Sequence, residues 1–455
     1  MQLCKSMKKN LAIYFALLVS ALSVVSCGSE TEENVEIPYA MVRSFKLGDI
    51  RSAYHAFTST GKDTTITKTV SMASVPFSID QGAGRIYNCD SLLFGTDVSK
   101  VTITMSADGI PAIYDDSTEV YNNILTTDSI DFTRPRKIRV YSLDETCHKD
   151  YEVSVNVHRV NPDLMEWTGF QAPQGVVPMR AQEYGNEMCL FGVDETQNVV
   201  VARALLNDTV WNAEPVSGLP IEAIATINVF NGKLYAVANG DVYSSANAVD
   251  WSVTATGTGA VAIVGASDEE SMLWIAGEQG LLYSADGESF VSAGALPEGF
   301  PLYGVSLASY PLSHNSSIVR YMLVGYHTAE KEGNVSVWCK LSNENGWTCY
   351  DSEHNALPCP ALKDIAVLHY DNFLYALGGA GKVNGTKVGA FASFYISRDN
   401  GIAWRKNESF YQRMPGGLAG CDSSFAAAAD SRGFMWIIAG GNAWKGIINR
   451  LGFEK

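Results

Sequence analysis

From about residue 160 onward, apolar and polar positions alternate in short runs broken by Gly, Asn, Asp and Ser, the two-residue period of half-buried strands. The runs themselves repeat. Strands rich in Leu, Tyr, Ala and Gly start at Met188, Lys233, Met272, Tyr321, Phe373 and Phe434 and read MCLFGV, KLYAVA, MLWIAG, YMLVGY, FLYALGG and FMWIIAGG. A further strand, a polar turn and an aromatic residue follow five of them. The closing aromatics are Trp211, Trp251, Phe290, Trp347 and Trp404; counted from Trp167, the intervals are 44, 40, 39, 57 and 57 residues. That is the size of a four-stranded propeller blade. The sixth copy stops at Lys455 without its turn, whereas NPDLMEW (161–167) has the turn but no strands before it. Residues 160–168 are therefore expected to supply the outer strand of the blade whose inner strands lie in 424–453, leaving no free sheet edge. The pattern predicts a β-propeller over 160–455 with six blades, or seven if one 57-residue unit is two.

Residues 37–159 alternate with the same period in shorter strands, among them 41–47, 64–72, 75–79, 101–106, 137–143 and 151–157. Their number and spacing predict an Ig-like β-sandwich of roughly seven strands. The chain is thus expected to be all-β, an Ig-like sandwich followed by a six-bladed propeller.

Residues 1–26 stand apart. Lys5, Lys8 and Lys9 precede an apolar run from Leu11 to Val25, too short and wrongly flanked for a membrane span. The run ends Val24-Val25-Ser26-Cys27, which resembles the lipobox of bacterial lipoproteins and makes Cys27 the lipidated first residue. Residues 27–36 form an acidic tether, and Gly28-Ser29-Glu30-Thr31-Glu32-Glu33 resembles the export signal of Bacteroidetes-type surface lipoproteins. The resemblance implies a protein held on the outer membrane by its N-terminal lipid and facing outward.

Three further resemblances concern the fold. Ile86–Met105 contains Asn88, Asp90, Ser91, Leu92, Gly95, Thr96 and Asp97, matching the N-x-D-S-L-P-x-G-T-D segment of a Bacteroidetes lipoprotein family of unknown function, with Leu93 where Pro is expected. That family carries a propeller behind the segment, which implies fold and location but no activity. The Ser397-x-Asp399-x-Gly401-x-x-Trp404 turn resembles the Asp-box of sialidase-type propellers, with degenerate copies at Ser284/Asp286/Phe290 and Ser245/Asn247/Trp251. The pairs Gly378-Gly379 and Gly440-Gly441 look Kelch-like. Such turns serve local structure: Ser and Asp bond turn N–H groups, Gly permits the bend, and Trp packs between sheets. Trp338 and Trp444, outside these positions, are either stacking platforms or core.

Composition narrows function mainly by exclusion. A formal charge of −16 argues against nucleic acid or an anionic membrane surface as the main partner. Seven cysteines remain beyond Cys4 and Cys27, with neither metal-ligand spacing nor an even count; buried free thiols are the simplest reading, with Cys339–Cys349 and Cys89–Cys147 as the pairs that would meet if any did. No metal or cofactor is expected, and no nucleophile elbow or phosphate loop is present.

In a propeller, the loops entering the innermost strands converge at one channel mouth. Those loops place Arg180, Glu222, Tyr303, Lys363, Asp364 and Asp422 at similar points, the mixed polar rim of a binding pocket or simply solvated loop charges. A glycosidase would need two convergent carboxylates, for which Glu222, Asp364 and Asp422 are candidates. A sialidase-like enzyme would need an Arg cluster, and only Arg180, with Tyr303, is in place. The leading expectation is a non-catalytic, lipid-anchored envelope protein whose propeller binds a glycan or an outer-membrane protein. The alternatives are a glycan-active hydrolase at the channel mouth and a structural subunit of an envelope complex.

Overall fold

Among the described residues strand follows strand, interrupted by two short 3-10 helices, Ile221–Thr226 and Asn449–Leu451. The computed structural model describes residues 39–58, 62–125, 127–331, 334–350, 355–409 and 411–452. The leader, Cys27 and the acidic tether lie outside them. Two compact units result: one of the described residues up to Ser52 with Thr69–Val157, the other of Ala53–Lys68 with His158 onward. The segment 53–68 thus groups with the second unit, although it lies within the stretch 37–159 expected as one domain.

In the first unit, six strands form one sheet in the order Phe77–Asp80, Arg85–Asn88, His148–Ser154, Arg136–Tyr141, Ile110–Asp115, Val120–Asn123. Val42–Leu47 pairs separately with Ile103–Ala107. The division is unequal, and His148–Ser154 runs parallel to Arg85–Asn88. Alternation sets which side chains enter the core: Ile138 and Val140 from one strand of the closing hairpin meet Tyr151 and Val153 from the other. Its turn is held by Asp144, whose carboxylate accepts from the Thr146 N–H and the Ser142 hydroxyl. Asn88 is buried and fully used, accepting from Asn156 N–H at 2.7 Å and donating to the carbonyls of Asp90 and Asn156. Its place in the N-x-D-S-L segment is accordingly structural.

From His158 onward, the described residues form six four-stranded antiparallel sheets and one small three-stranded sheet. Five of the six are consecutive hairpins, starting at Val177, Asn228, Ala262, Tyr303 and Ala366. The sixth takes Phe425–Ala429, Met435–Ala439 and Asn442–Ile448 from the end of the chain and Met165–Gln171 from its start. The innermost strands touch in sequence, and Phe425–Ala429 touches Val177–Tyr184, so the ring is closed. The two 57-residue intervals have local causes. In one, the hairpin Tyr303–Leu312/Asn315–Tyr326 is elongated; in the other, the three-stranded sheet Ala361–Leu362, Gly381–Val383, Thr386–Val388 is inserted.

Each closing aromatic packs between its own sheet and the one before it: Trp251 against the first and second, Phe290 the second and third, Trp404 the fourth and fifth. The turn delivering Trp404 is hydrogen-bonded throughout. Ser397 Oγ donates to Asp399 at 2.8 Å and accepts from Gly401 N–H at 2.7 Å. Asp399 accepts from Ala403 N–H, and the indole N–H of Trp404 donates to Gly401 O. Gly401 has φ +96°, a backbone conformation that favours glycine, and a Cβ there would have to displace the Met322 methyl of the neighbouring sheet, 2.5 Å away. Ser284 and Asp286 repeat the pattern, and the N–H groups of Ser289 and Glu288 with the Ser284 hydroxyl hold the Asp286 carboxyl well below the usual carboxylate range. Trp338 and Trp444 are both buried core.

The cysteine pair Cys339–Cys349 is excluded as a bridge by register. Cys339 lies opposite Thr348 and Cys349 opposite Trp338, which puts the two on opposite faces of their sheet.

The closing seam is reinforced by charge. Arg450 bridges Asp163 and Asp371, and burial raises the Asp371 carboxyl despite that cation. Asn449 N–H and Arg450 N–H donate to Leu164 O and Pro162 O at 2.9 Å.

Two outcomes follow. Trp404→Ala should cost about 3–5 kcal/mol, the usual range for truncating a buried Trp, and Gly401→Ala about 1–3 kcal/mol, both read from denaturant unfolding of the second unit. Arg450→Met should destabilise by roughly 2–3 kcal/mol because it strands Asp371, and adding Asp371→Asn should recover part of that loss in a double-mutant cycle.

Candidate functional site

Near the axis of a closed ring of sheets there is room only for small side chains, and the innermost strands comply: AIVGAS at 262–267, FAAAA at 425–429. Between them lies a cavity of about 600 Å³, lined by residues from the innermost strands of all six four-stranded sheets. All of it belongs to the second unit. Its volume is within the range of small-molecule sites, about 300–1,000 Å³.

The wall is aliphatic where Ala266, Ala308, Ala366 and Ala426–Ala429 face it. Set into it are polar side chains: Arg180, Gln182, Asn228, Ser309, Lys331, Asp364 and His369. Arg180 stands on Val177–Tyr184, where its Nη2 donates to Asn228 Oδ1 at 3.2 Å. Its Nε is shut off from solvent and has no partner. Burial alone pushes the guanidinium down to about 10, which leaves it charged at neutral pH. The Ser309 hydroxyl is also buried without a partner. His369 stacks on Tyr310 with centroids 3.8 Å apart and planes 4° from parallel. Burial pushes its imidazole down to about 4, so it is neutral at pH 7. Ser306, by contrast, is satisfied, since its Oγ accepts from Val367 N–H at 2.8 Å across the gap between two sheets.

Of the six residues expected at the mouth, Arg180 and Asp364 line this cavity. Asp364 reaches it from a left-handed backbone position, φ +50°. Glu222 is not among the lining residues; it lies exposed in the first turn of the helix Ile221–Thr226, whose Ala225 faces the cavity instead. Tyr303 packs into two hydrophobic cores between sheets, and its neighbour Gly304 takes the lining position. Lys363 and Asp422 are exposed outside the lining set. Of the residues that sequence reasoning passed over, Gln182, Asn228, Ser309 and His369 sit on the innermost strands, and Lys331 lies in the loop after Asn315–Tyr326. A signal for the strand residues exists: a polar side chain interrupting a strand otherwise made of small apolar residues.

Asp364 is the one carboxylate among the lining residues, so the carboxylate pair of a glycosidase is not assembled there. Among the described residues, no group of three or more His, Cys, Asp or Glu side chains is placed to hold a metal ion.

Comparison with known proteins gives family and fold. Among solved structures, the chain is similar to a DUF4623 family protein from Bacteroides eggerthii, with 11% identity, a TM-score of 0.33 and coverage of 89% of this chain and 98% of the other. It is similar to a mutant of the Aleuria aurantia lectin in complex with Fucα1-6GlcNAc, with 9% identity, a TM-score of 0.37, and coverage of 60% and 93%. It is also similar to Trypanosoma rangeli sialidase in complex with sialic acid, with 12% identity, a TM-score of 0.27, and coverage of 74% and 56%. Likeness at this level extends to neither ligand nor activity. No curated protein matches the chain in sequence. The family models are specific: residues 45–155 match the N-terminal domain of unknown function of DUF6242, and residues 161–455 match the DUF6242 beta propeller domain, the family to which this chain belongs.

Proposed function

We propose that this protein is a non-catalytic, lipid-anchored cell-envelope protein, an Ig-like domain followed by a six-bladed propeller whose channel binds a glycan. The observation that carries the reading is the cavity of about 600 Å³ at the ring axis, with amide, hydroxyl and charged side chains spaced along an aliphatic wall. Amide and hydroxyl groups that both donate and accept are matched to the hydroxyls of a sugar, and the Ala and Val surfaces to its C–H faces. Six blades is the reading that the closed ring of six sheets supports. The anchor rests on Val24-Val25-Ser26-Cys27, and outward exposure on the acidic residues after it. The hydrolase alternative lacks support in a cavity wall with a single carboxylate.

Two experiments test this. Full-length protein in detergent, screened on a glycan array, should bind a defined set of glycans, and Ala427→Trp, which fills the channel from its wall, should abolish that binding. Retention of binding in that variant would move the site off the channel, and hydrolysis of a bound glycan would replace the binding reading with an enzymatic one. In cells of the native host, Cys27→Ser should eliminate incorporation of labelled palmitate and release the protein from the membrane fraction. Unchanged labelling would remove the anchor.

A further inference from the structure

The cavity lies in an acidic protein, −16 by formal charge, yet its wall carries two cations, Arg180 and Lys331, against one carboxylate, Asp364. Arg180 is the deeper anomaly. Arg180 is half-buried, with its Nε shut off from solvent, and guanidinium groups taken largely out of water are ordinarily paired with carboxylates, because an unpaired charge there is costly. Here the protein offers only the amide oxygen of Asn228, at 3.2 Å, and no carboxylate is within salt-bridge reach of Arg180 among the described residues. Nor does that amide have other work on Arg180's behalf: Asn228 Nδ2 donates to Thr226 O, which fixes its oxygen toward the guanidinium as an orienting contact. A cation held in place, partly open to a cavity and left without a counter-charge is arranged for an anion that arrives with the ligand.

We propose that Arg180 is the anchor for an anionic group, so that the channel's ligand is an acidic sugar, carrying a carboxylate or a phosphate, in preference to a neutral one. The inference rests on the channel-binding reading above and adds the ligand's charge. Arg180 receives the oxyanion, and Lys331 adds a second positive charge at the wall. His369, neutral at physiological pH, contributes a flat apolar face and no charge.

The test uses full-length protein in detergent at low ionic strength and calorimetric titration with four probes: glucuronate, glucose 6-phosphate, glucose and inorganic phosphate. Wild type should bind at least one of the two acidic sugars at least tenfold more tightly than glucose; glucuronate and glucose 6-phosphate separate a carboxylate from a phosphate preference. Arg180→Met should erase that preference, and Arg180→Lys should keep part of it. Without ligand, Arg180→Met should melt at the same temperature as wild type or higher, because an apolar chain of similar length replaces an uncompensated charge. A lower melting temperature for Arg180→Met would assign the residue a structural role and overturn the proposal. So would absence of any response to all three anions at 100 mM. Equal binding of glucose and the acidic sugars, blocked by Ala427→Trp and indifferent to Arg180→Met, would leave the channel reading standing and the charge inference refuted.

Discussion

Met165–Gln171 and Asn442–Ile448, which stand at opposite ends of the propeller's chain, form one antiparallel ladder, and the ring depends on it. Without that ladder the sixth sheet keeps three strands, and Asn442–Ile448, buried over most of its length, becomes an edge of the kind that invites aggregation in β proteins. The pairing is also the one whose loop-closure entropy is largest, since nearly all of the second unit lies between its partners. Reinforcement is concentrated there accordingly. Gly446 lies opposite Trp167, and a Cβ on it would come within 2.4 Å of the ring, so the indole lies flat over the strand. The Trp167 indole N–H donates to Arg413 O, and Arg450 adds its ionic bridge to Asp163. Contacts of this long sequence separation form late and slowly.

Closure has a second consequence, at the axis. Six strands converging on a line leave no space for large side chains, so Ala, Gly, Ser and Val predominate and a void remains between them. The void results from geometry, and its existence alone implies nothing about ligands. Information lies in the departures from smallness: Arg180 and Gln182, two residues apart on one strand, and His369 on another. The bulky aromatics lie far from the axis, where the sheets diverge and the gaps between them must be filled.

This division explains what was legible in the sequence. Strands and turns announce themselves locally: FLYALGG is buried along Phe373–Leu377, and Ser397-x-Asp399-x-Gly401 satisfies its own backbone within five residues. The mouth residues depended on which side of a loop faces inward, and a one-residue difference reverses that. Lys363 and Asp364 are neighbours, yet the second lines the cavity and the first does not. Tyr303 was drawn into the space between sheets by its aromatic surface, leaving the lining to Gly304. Nothing in a loop's composition encodes such choices. Arg180, expected in a loop, stands instead on the strand Val177–Tyr184, at a register irregularity next to Pro178.

Buried arginines with an unpartnered Nε occur elsewhere in this unit, and the comparison sharpens the meaning of Arg180. Arg320 and Arg398 also have an unsatisfied Nε, but the Arg398 guanidinium lies 3.7 Å from the centroid of the Phe57 ring and 5.7 Å from that of Phe373. Ring faces supply negative potential, so its charge is compensated by packing within the fold. Two buried lysines are handled in the same way, Lys340 over Trp274 with carbonyl acceptors and Lys445 over Phe434 and Trp436. Arg180 has neither ring nor carboxylate, and the side chains around it on the cavity wall are mostly small. Arg398, Lys340 and Lys445 are each held over aromatic rings. At Arg180, which faces the channel, that compensation is missing, and a charge left with neither ring nor carboxylate is a feature of the site that packing does not explain.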